Sequence, residues 1–251
     1  SLTVHRRPRN LWPVYRTLRT ELGNAPPAGA GEALLALWLV SDVQVLDCAS
    51  PARCEWVAQL APEPAWEPLQ PMVRPYDALS HWTLAAHVDT VRNRPLAPCS
   101  GRHYDLAVSL GDNIDNAQRN ELDAFLAILA GGATRLSAYG GAQDASGELG
   151  PGAWPYWCPD ADVPDLLKPS GLPAVADFLR RASAELVSPG LGFAWTSVAG
   201  NHDLLRQGTA LPEPEIEAIA VGSAKTLRRP DGFAPADPLA RPAPGPIRPA
   251  L

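Results

Sequence analysis

The stretch that decides the fold is Tyr-Asp-Leu-Ala-Val-Ser-Leu-Gly-Asp-Asn-Ile-Asp, at residues 104–115. Its first part, Tyr104–Leu110, is an apolar run of the length and composition that predict a buried strand. Gly111 permits a tight turn and a close approach of the backbone to a ligand directly after that strand. Asp112 then follows the turn, so a carboxylate is expected at the carboxyl end of the strand.

Two other apolar runs end in the same way. Ala33–Val40 is followed by Ser41-Asp42, and Phe193–Ala199 is followed by Gly-Asn-His-Asp at residues 200–203. In open α/β sheets, ligands bind in the crevice outside the carboxyl ends of the strands. Three strands that each deliver an oxygen ligand at this end make a metal site the first hypothesis, because hard cations prefer carboxylate and amide oxygens.

The segments between these runs favour helices, which predicts an α/β fold. Helices are expected at Ser50–Leu60, Tyr76–Asn93, from Asn116 to Gly131-Gly132, and Ala174–Leu186. The apolar face of the third is expected to consist of Leu122, Phe125, Leu126 and Leu129. Leu11–Leu22 is read as a short helix, and Glu215–Val221 as a strand or a short helix. The order of elements implies a layered sheet of mainly parallel strands with flanking helices and right-handed crossovers.

Composition divides the chain into three parts. Residues 1–31 form a basic and then Pro/Gly-rich extension, residues 32–222 form the folded domain, and residues 223–251 are Pro/Ala/Arg-rich and expected to be disordered. Within the domain, residues 133–173 lack periodicity and are expected to form an insertion loop. Trp154, Tyr156 and Trp157 favour an ordered insertion that forms a flap over the site.

Charge and hydropathy exclude several classes of partner. The net charge is −6, which argues against a general nucleic-acid binder. The apolar run at Ala33–Val40 is far too short to span a membrane. The four cysteines show no C-x-x-C spacing, so no zinc ribbon or redox pair is indicated. A cytoplasmic protein with no nucleic-acid or membrane partner is the expectation.

The three motifs together resemble the calcineurin-like metallophosphoesterases. In that superfamily the metal ligands arrive as D-x-H, then G-D-x-x-D or G-D-x-x-N, then G-N-H-D or G-N-H-E. Residues 41–53 and 111–122 look like an actinobacterial-type branch in which glutamine commonly replaces the first histidine, and Gln44 stands at that position here. The resemblance implies hydrolysis of a phosphate mono- or diester at a site with two divalent ions (Mn, Fe, Zn or Mg).

The resemblance also implies roles for individual residues. Asp42 would bind the first metal, Asp112 would bridge both metals, and Asn201 would bind the second through its amide oxygen. Gln44 would be a weak ligand or would hydrogen-bond a bound water. His202 would assist the leaving group as an acid or electrostatic stabiliser, and Asp203 would orient its imidazole. The alternative is that Asn201 and Asp203 only satisfy backbone groups of a turn.

Other residues near the motifs keep two interpretations each. Asp112 alone could cap the following helix. Asp115 either supports the site from behind or caps that helix. Asn113 belongs either to the rim of the site or to a solvated helix start. Arg53 could bind phosphate through two of its guanidinium nitrogens, although a surface arginine is the favoured interpretation.

The ligand set of the resembled superfamily is incomplete in this sequence. Two further histidines should follow, the second in a G-H-x-H string, but His202 is the last histidine of the chain. We therefore expect the chain to be the N-terminal part of such a domain, with an incomplete second half, the missing ligands coming from an absent C-terminal half or a partner chain. Hydrolysis by this chain is expected to be weak or absent. The alternative function is a non-catalytic, degenerate fold that binds a partner.

Overall fold

The computed structural model describes residues 2–6, 15–19, 33–53, 76–98, 100–138, 159, 168–208, 213–223 and 225. At the start of the chain, β1 (Leu2–Arg6) pairs antiparallel with β2 (Tyr15–Arg19). The helix predicted at Leu11–Leu22 is therefore wrong for Tyr15–Arg19, and the rest of that segment lies outside the described residues. Thr17 and Leu18 suit a strand as well as a short helix, and the pairing with β1 selects the strand.

The central sheet has three parallel strands: β3 (Leu37–Val40), β4 (Leu106–Ser109) and β7 (Trp195–Ser197). Their order in the sheet is β3-β4-β7, so β4 lies in the middle. Each strand lies inside one of the three apolar runs, and each is shorter than its run. Parallel strands in this order place all three carboxyl ends at one edge, as the sequence predicts.

Two helices pack against one face of this sheet. They are α1 (Ser80–Asn93) and α2 (Arg119–Ala130). On α1, Leu84, Val88 and Val91 are buried at helical spacing. The predicted helix at Tyr76–Asn93 is confirmed, since a 3₁₀ turn at Asp77–Leu79 leads directly into α1.

The buried face of α2 differs from the predicted one. Phe125, Ile128 and Leu129 are buried, and Phe125 meets Trp195 edge-on with ring centroids 6.2 Å apart. Leu122 and Leu126, expected on the same face, are each 39% exposed. The helix begins after Gln118 rather than after Asn116, and Gly131 ends it with a φ of 96°.

The mixed α/β architecture with a parallel sheet and flanking helices is thus observed.

A smaller sheet extends the core beyond α2. It pairs β5 (Gly132–Thr134) antiparallel with β6 (Leu186–Ser188). Of the helix predicted at Ala174–Leu186, only α3 (Phe178–Ala182) forms, because Leu186 pairs with Thr134 instead. The buried core lies between the sheets and helices and includes Val45, Leu84, Val88, Ala107, Ile114, Phe125, Ile128, Leu136 and Leu191.

The remaining predictions have mixed outcomes. Residues 50–53 form turns rather than the start of a helix, and residues 54–60 lie outside the described ranges. Trp154, Tyr156 and Trp157 also lie outside them, as do residues 226–251. Pro214–Ala220 forms α4, which selects the helix from the two alternatives given for that segment. No helix in the described ranges has the length and apolar character needed to cross a membrane.

Candidate metal centre

The first two motifs are joined by backbone hydrogen bonds that continue the β3–β4 ladder. The N–H of Asp42 donates to the carbonyl of Gly111 at 3.2 Å, and the N–H of Gln44 donates to the carbonyl of Asp112 at 2.8 Å. Farther along, Val45 and Ile114 form an isolated parallel bridge. The loops that follow β3 and β4 therefore run side by side, and Gln44 Nε2 lies 3.4 Å from Asp112 Oδ2.

The third motif packs directly onto the second. Asp112 Oδ1 accepts a hydrogen bond from the N–H of His202 at 2.9 Å. A Cβ atom on Gly200 would lie 2.1 Å from that same oxygen, far inside van der Waals contact. Glycine at position 200 is thus what allows the carboxylate of Asp112 to lie against the loop after β7. The carboxyl ends of all three strands converge at Asp112.

Three of the predicted ligands have an unusual backbone conformation. Asp42, Gln44 and Asp112 have φ angles of 56°, 43° and 54°, in the left-handed region that residues other than glycine rarely adopt. Aspartate tolerates this region better than most residues, but glutamine does not share that advantage. Such conformations cluster at functional sites, where the surrounding structure enforces them. Their concentration on three candidate ligands marks this edge of the sheet as the candidate site.

Asp115, rather than Asp203, holds the imidazole of His202. His202 Nδ1 lies 3.0 Å from Asp115 Oδ1, and Asp115 is fully buried. Gln207 Nε2 donates to both oxygens of the same carboxylate at 3.1 Å. Because an ionised carboxylate only accepts hydrogen bonds, Nδ1 carries the proton and Nε2 is the nitrogen left for exchange with a ligand. Asp115 does not cap the following helix, because α2 begins after Gln118, and support of the site stays a prediction.

Asp203 instead joins the second and third motifs, which corrects the orienting role predicted for it. Its Oδ1 accepts hydrogen bonds from the N–H groups of Asn113 and Ile114, both at 2.9 Å. Its Oδ2 accepts from the N–H of Gly200 at 2.7 Å. Asn113 is buried, and its Nδ2 donates to the carbonyl of Val198 at 2.8 Å. A solvated helix start is therefore the wrong interpretation for Asn113.

Arg53 does not lie on the surface, so the favoured interpretation of this residue is wrong. It is 3% exposed and forms an ion pair with Asp77. Its Nε also lies 3.7 Å from Asp115 Oδ2. Arg53 therefore stands behind the His202–Asp115 pair, where its positive charge compensates buried carboxylates rather than meeting a phosphate in the crevice.

Glu121 is a buried part of the site that sequence reasoning missed. It is 0% exposed, and burial, together with the nearby carboxylates of Asp115 and Asp47, raises its pKa to about 8. The spacing of positions 121, 124, 125 and 128 contained the signal. Glu121 lies on the face of α2 that also carries Phe125 and Ile128, so a carboxylate is buried on an apolar stripe.

The donor set at this edge suits a hard cation. Asp42 and Asp112 would supply carboxylates, and Gln44 and Asn201 would supply amide oxygens. Asn201 Nδ2 donates to the carbonyl of Gln207 at 3.1 Å, which leaves its Oδ1 as the ligand atom. Within the described ranges, no group of three or more His, Cys, Asp or Glu side chains is arranged to hold a metal ion. A cation at this edge would therefore depend on the two amides as well as the two carboxylates.

In comparisons with known proteins, no family model, curated protein or solved structure matches the chain. The resemblance to the metallophosphoesterases therefore rests on the three motifs. The convergence of these motifs around Asp112 is a property of this chain's own structure.

Proposed function

We propose that this chain carries a metal-dependent phosphoesterase site at the carboxyl edge of its parallel sheet. The observation that supports this most strongly is the meeting of three strand ends at Asp112, with left-handed backbone at Asp42, Gln44 and Asp112. Asp42, Gln44, Asp112 and Asn201 would hold the divalent cation or cations. When bound, such a cation neutralises phosphoryl oxygens and lowers the pKa of a bound water.

The protein's own residues supply positioning and a proton. His202 is held through Nδ1 by Asp115, so its Nε2 can exchange a proton with the leaving-group oxygen of a phosphate ester. Asp203 fixes the distance between the loops after β4 and β7, because it accepts hydrogen bonds from backbone N–H groups of both loops. These contacts keep His202 and Asp112 in a fixed relation before substrate binds, which is the arrangement that general acid catalysis requires.

Hydrolysis by this chain is expected to be slow. The candidate ligand set contains oxygen donors only, and imidazole is the stronger ligand for transition metals. Weak binding of the cation limits the fraction of protein that carries it. Robust turnover of a phosphodiester by this polypeptide would contradict that part of the proposal.

Metal titration tests the site directly. The full chain should bind Mn²⁺ measurably by isothermal titration calorimetry, and Asp112→Asn and Asn201→Ala should each weaken binding at least about tenfold. Asp123→Asn is the matched control, because it removes a carboxylate from an exposed position that pairs with Arg119. Wild-type affinity in both site variants would refute the metal site.

A second candidate function is partner binding without catalysis. Parallel sheets usually have both faces covered. Here Leu39 is 53% exposed, and Val198, just after β7, is 54% exposed. These exposed apolar side chains could contact a partner protein. Failure of the wild-type chain to bind Mn²⁺ in the titration above would favour this function over the phosphoesterase.

A further inference from the structure

The first turn of α2 contacts both loops that carry candidate ligands. Glu121 Oε1 accepts a hydrogen bond from the N–H of Asp47 at 2.9 Å, and its Oε2 accepts one from the N–H of Asn116 at 3.2 Å. Asp47 lies on the loop that begins with Asp42, and Asn116 lies on the loop that begins with Asp112. A single buried carboxyl group therefore joins the two loops at the ends that lie farther from the strands.

Closer to the strands, backbone hydrogen bonds that continue the sheet already join the two loops as far as Val45 and Asp115. The N–H of Gln44 donates to the carbonyl of Asp112 at 2.8 Å, and the N–H of Asp115 donates to the carbonyl of Val45 at 3.2 Å. The backbone ladder thus joins the loops up to Val45 and Asp115, and Glu121 joins them again just beyond it, at Asp47 and Asn116. Asp42, Gln44 and Asp112, which have left-handed backbone, lie in the part of the loops that the ladder joins, and Glu121 holds the segments that follow.

We propose that Glu121 is a positioning residue that maintains the spacing of the two ligand loops and thereby the affinity for the cation. This inference rests on the proposed metal site. An apolar side chain of similar size would fill the same space without the cost of burying a carboxyl group. It would, however, leave the N–H groups of Asp47 and Asn116 without an acceptor, which is costly for buried donors.

The contacts of Asp47 strengthen this assignment. Its Oδ2 accepts a hydrogen bond from Asn120 Nδ2, also in the first turn of α2, and its Oδ1 accepts one from the N–H of Ala49 at 2.8 Å. The loop after β3 is therefore attached to the start of α2 through both the backbone and the side chain of Asp47. Movement of the start of α2 would move the loop that carries Asp42 and Gln44.

The test is Mn²⁺ affinity in Glu121→Gln, measured by isothermal titration calorimetry on the full chain. Glutamine keeps the shape and one acceptor oxygen. Its amide NH₂ would face the second N–H group and cannot accept from it, whereas both oxygens of a carboxyl group, including the hydroxyl oxygen of the protonated form, can accept. We expect Mn²⁺ affinity at least about tenfold below that of the wild type, the usual effect of removing a group that orients ligands.

Two matched controls separate positioning from simple destabilisation. Asp123→Asn removes an exposed carboxylate from the same helix, and Ile128→Ala creates a cavity two turns further along it. Both should keep wild-type affinity once corrected for the folded fraction. Wild-type affinity in Glu121→Gln, or an equal loss in Ile128→Ala, would overturn the inference.

Amide hydrogen exchange on the wild-type chain provides a measurement that does not depend on any variant. The N–H groups of Asp47 and Asn116 should exchange as slowly as those in the core of α2. Exchange at the rate of unprotected loops would overturn the inference. If the wild-type chain binds no Mn²⁺ although both amides are protected, the proposed metal site fails, and the role of Glu121 in metal affinity fails with it.

Discussion

Asp112 and Gly200 show how a single pair of residues sets the geometry of the site. Asp112 occupies left-handed backbone, and its carboxylate lies against the backbone of Gly200. The same carboxylate accepts the N–H of His202. Any side chain at position 200 would push this carboxylate away from the loop after β7, so the two residues depend on each other sterically.

Gly200→Ala should therefore destabilise the protein and disturb the site together. The new Cβ would lie 2.1 Å from Asp112 Oδ1 and 2.5 Å from its backbone nitrogen. We expect a loss of about 2 kcal/mol in the free energy of unfolding, as for other overpacked positions. Urea denaturation measures this loss, and NMR chemical shifts of Asp112 and His202 report the displacement.

Gly132→Ala is the control for that experiment. A Cβ at position 132 would meet its nearest neighbour, the Cβ of Ala127, at 3.6 Å, which is ordinary contact. Its free energy of unfolding should stay within about 0.5 kcal/mol of the wild-type value. An equal loss in both variants would show that the steric argument at Gly200 is wrong.

At the level of elements, α2 makes two separate sets of contacts. Its first turn fixes the ligand loops through Glu121, and its later turns pack Phe125 and Ile128 against the sheet. Phe125 contacts Trp195 of β7 edge-on, so the helix also fixes the strand that leads to His202. Packing in the core is thereby coupled to the position of the third motif.

Truncation of neighbouring residues on α2 should separate its buried and exposed faces. Phe125→Ala removes a side chain that is 1% exposed and should cost about 3–5 kcal/mol in the free energy of unfolding. Leu126→Ala removes one that is 39% exposed and should cost about 1 kcal/mol or less. Chemical denaturation of the two variants checks the ranking, and equal losses would contradict the observed burial of α2.

The sequence predicts the three strands of the central sheet correctly, but it does not predict the strands of the two smaller sheets. The runs around Leu106 and Trp195 are apolar enough that burial alone selects a strand, and the motifs after them mark where the strands end. Leu186 and Leu18 belong to segments that local periodicity predicts, wrongly, as helices. Their pairing with Thr134 and Thr3 decided the outcome, and local periodicity contains no information about such distant partners.

The same limit applies to the candidate site. The candidate ligand positions follow from motifs at strand ends, but the partner of His202 depends on which carboxylate reaches it through space. Asp203 is adjacent in the chain, yet its oxygens are occupied by the N–H groups of Asn113, Ile114 and Gly200. Asp115, 87 positions away, makes the contact instead.

For the whole molecule, two buried ionisable groups give stability opposite dependences on pH. Burial raises the pKa of Glu121 to about 8 from its ordinary value of 4.5, with Asp47 and Asp115 nearby. Burial lowers the pKa of His81 to about 4 from 6.5. Between pH 4.5 and 8 the folded state keeps a proton on Glu121 that the unfolded chain releases, so this contribution to stability is lost as pH rises. Between pH 6.5 and 4 the unfolded chain protonates His81 while the folded state does not, so that contribution is lost as pH falls.

The two effects should oppose each other from pH 4.5 to 6.5, which leaves Glu121 alone above that range. At one proton per molecule, stability changes by about 1.4 kcal/mol per pH unit, so the wild type should lose roughly 2 kcal/mol between pH 6.5 and 8 through this residue. Urea denaturation across pH 4 to 8 measures the profile. Relative to the wild type, Glu121→Gln should lack the decline above pH 6.5, and His81→Phe should lack the decline below it. Both substitutions also change stability by an amount that does not depend on pH, so the shapes of the three profiles are compared rather than their absolute values. Identical shapes in all three proteins would mean that neither group titrates as its burial requires.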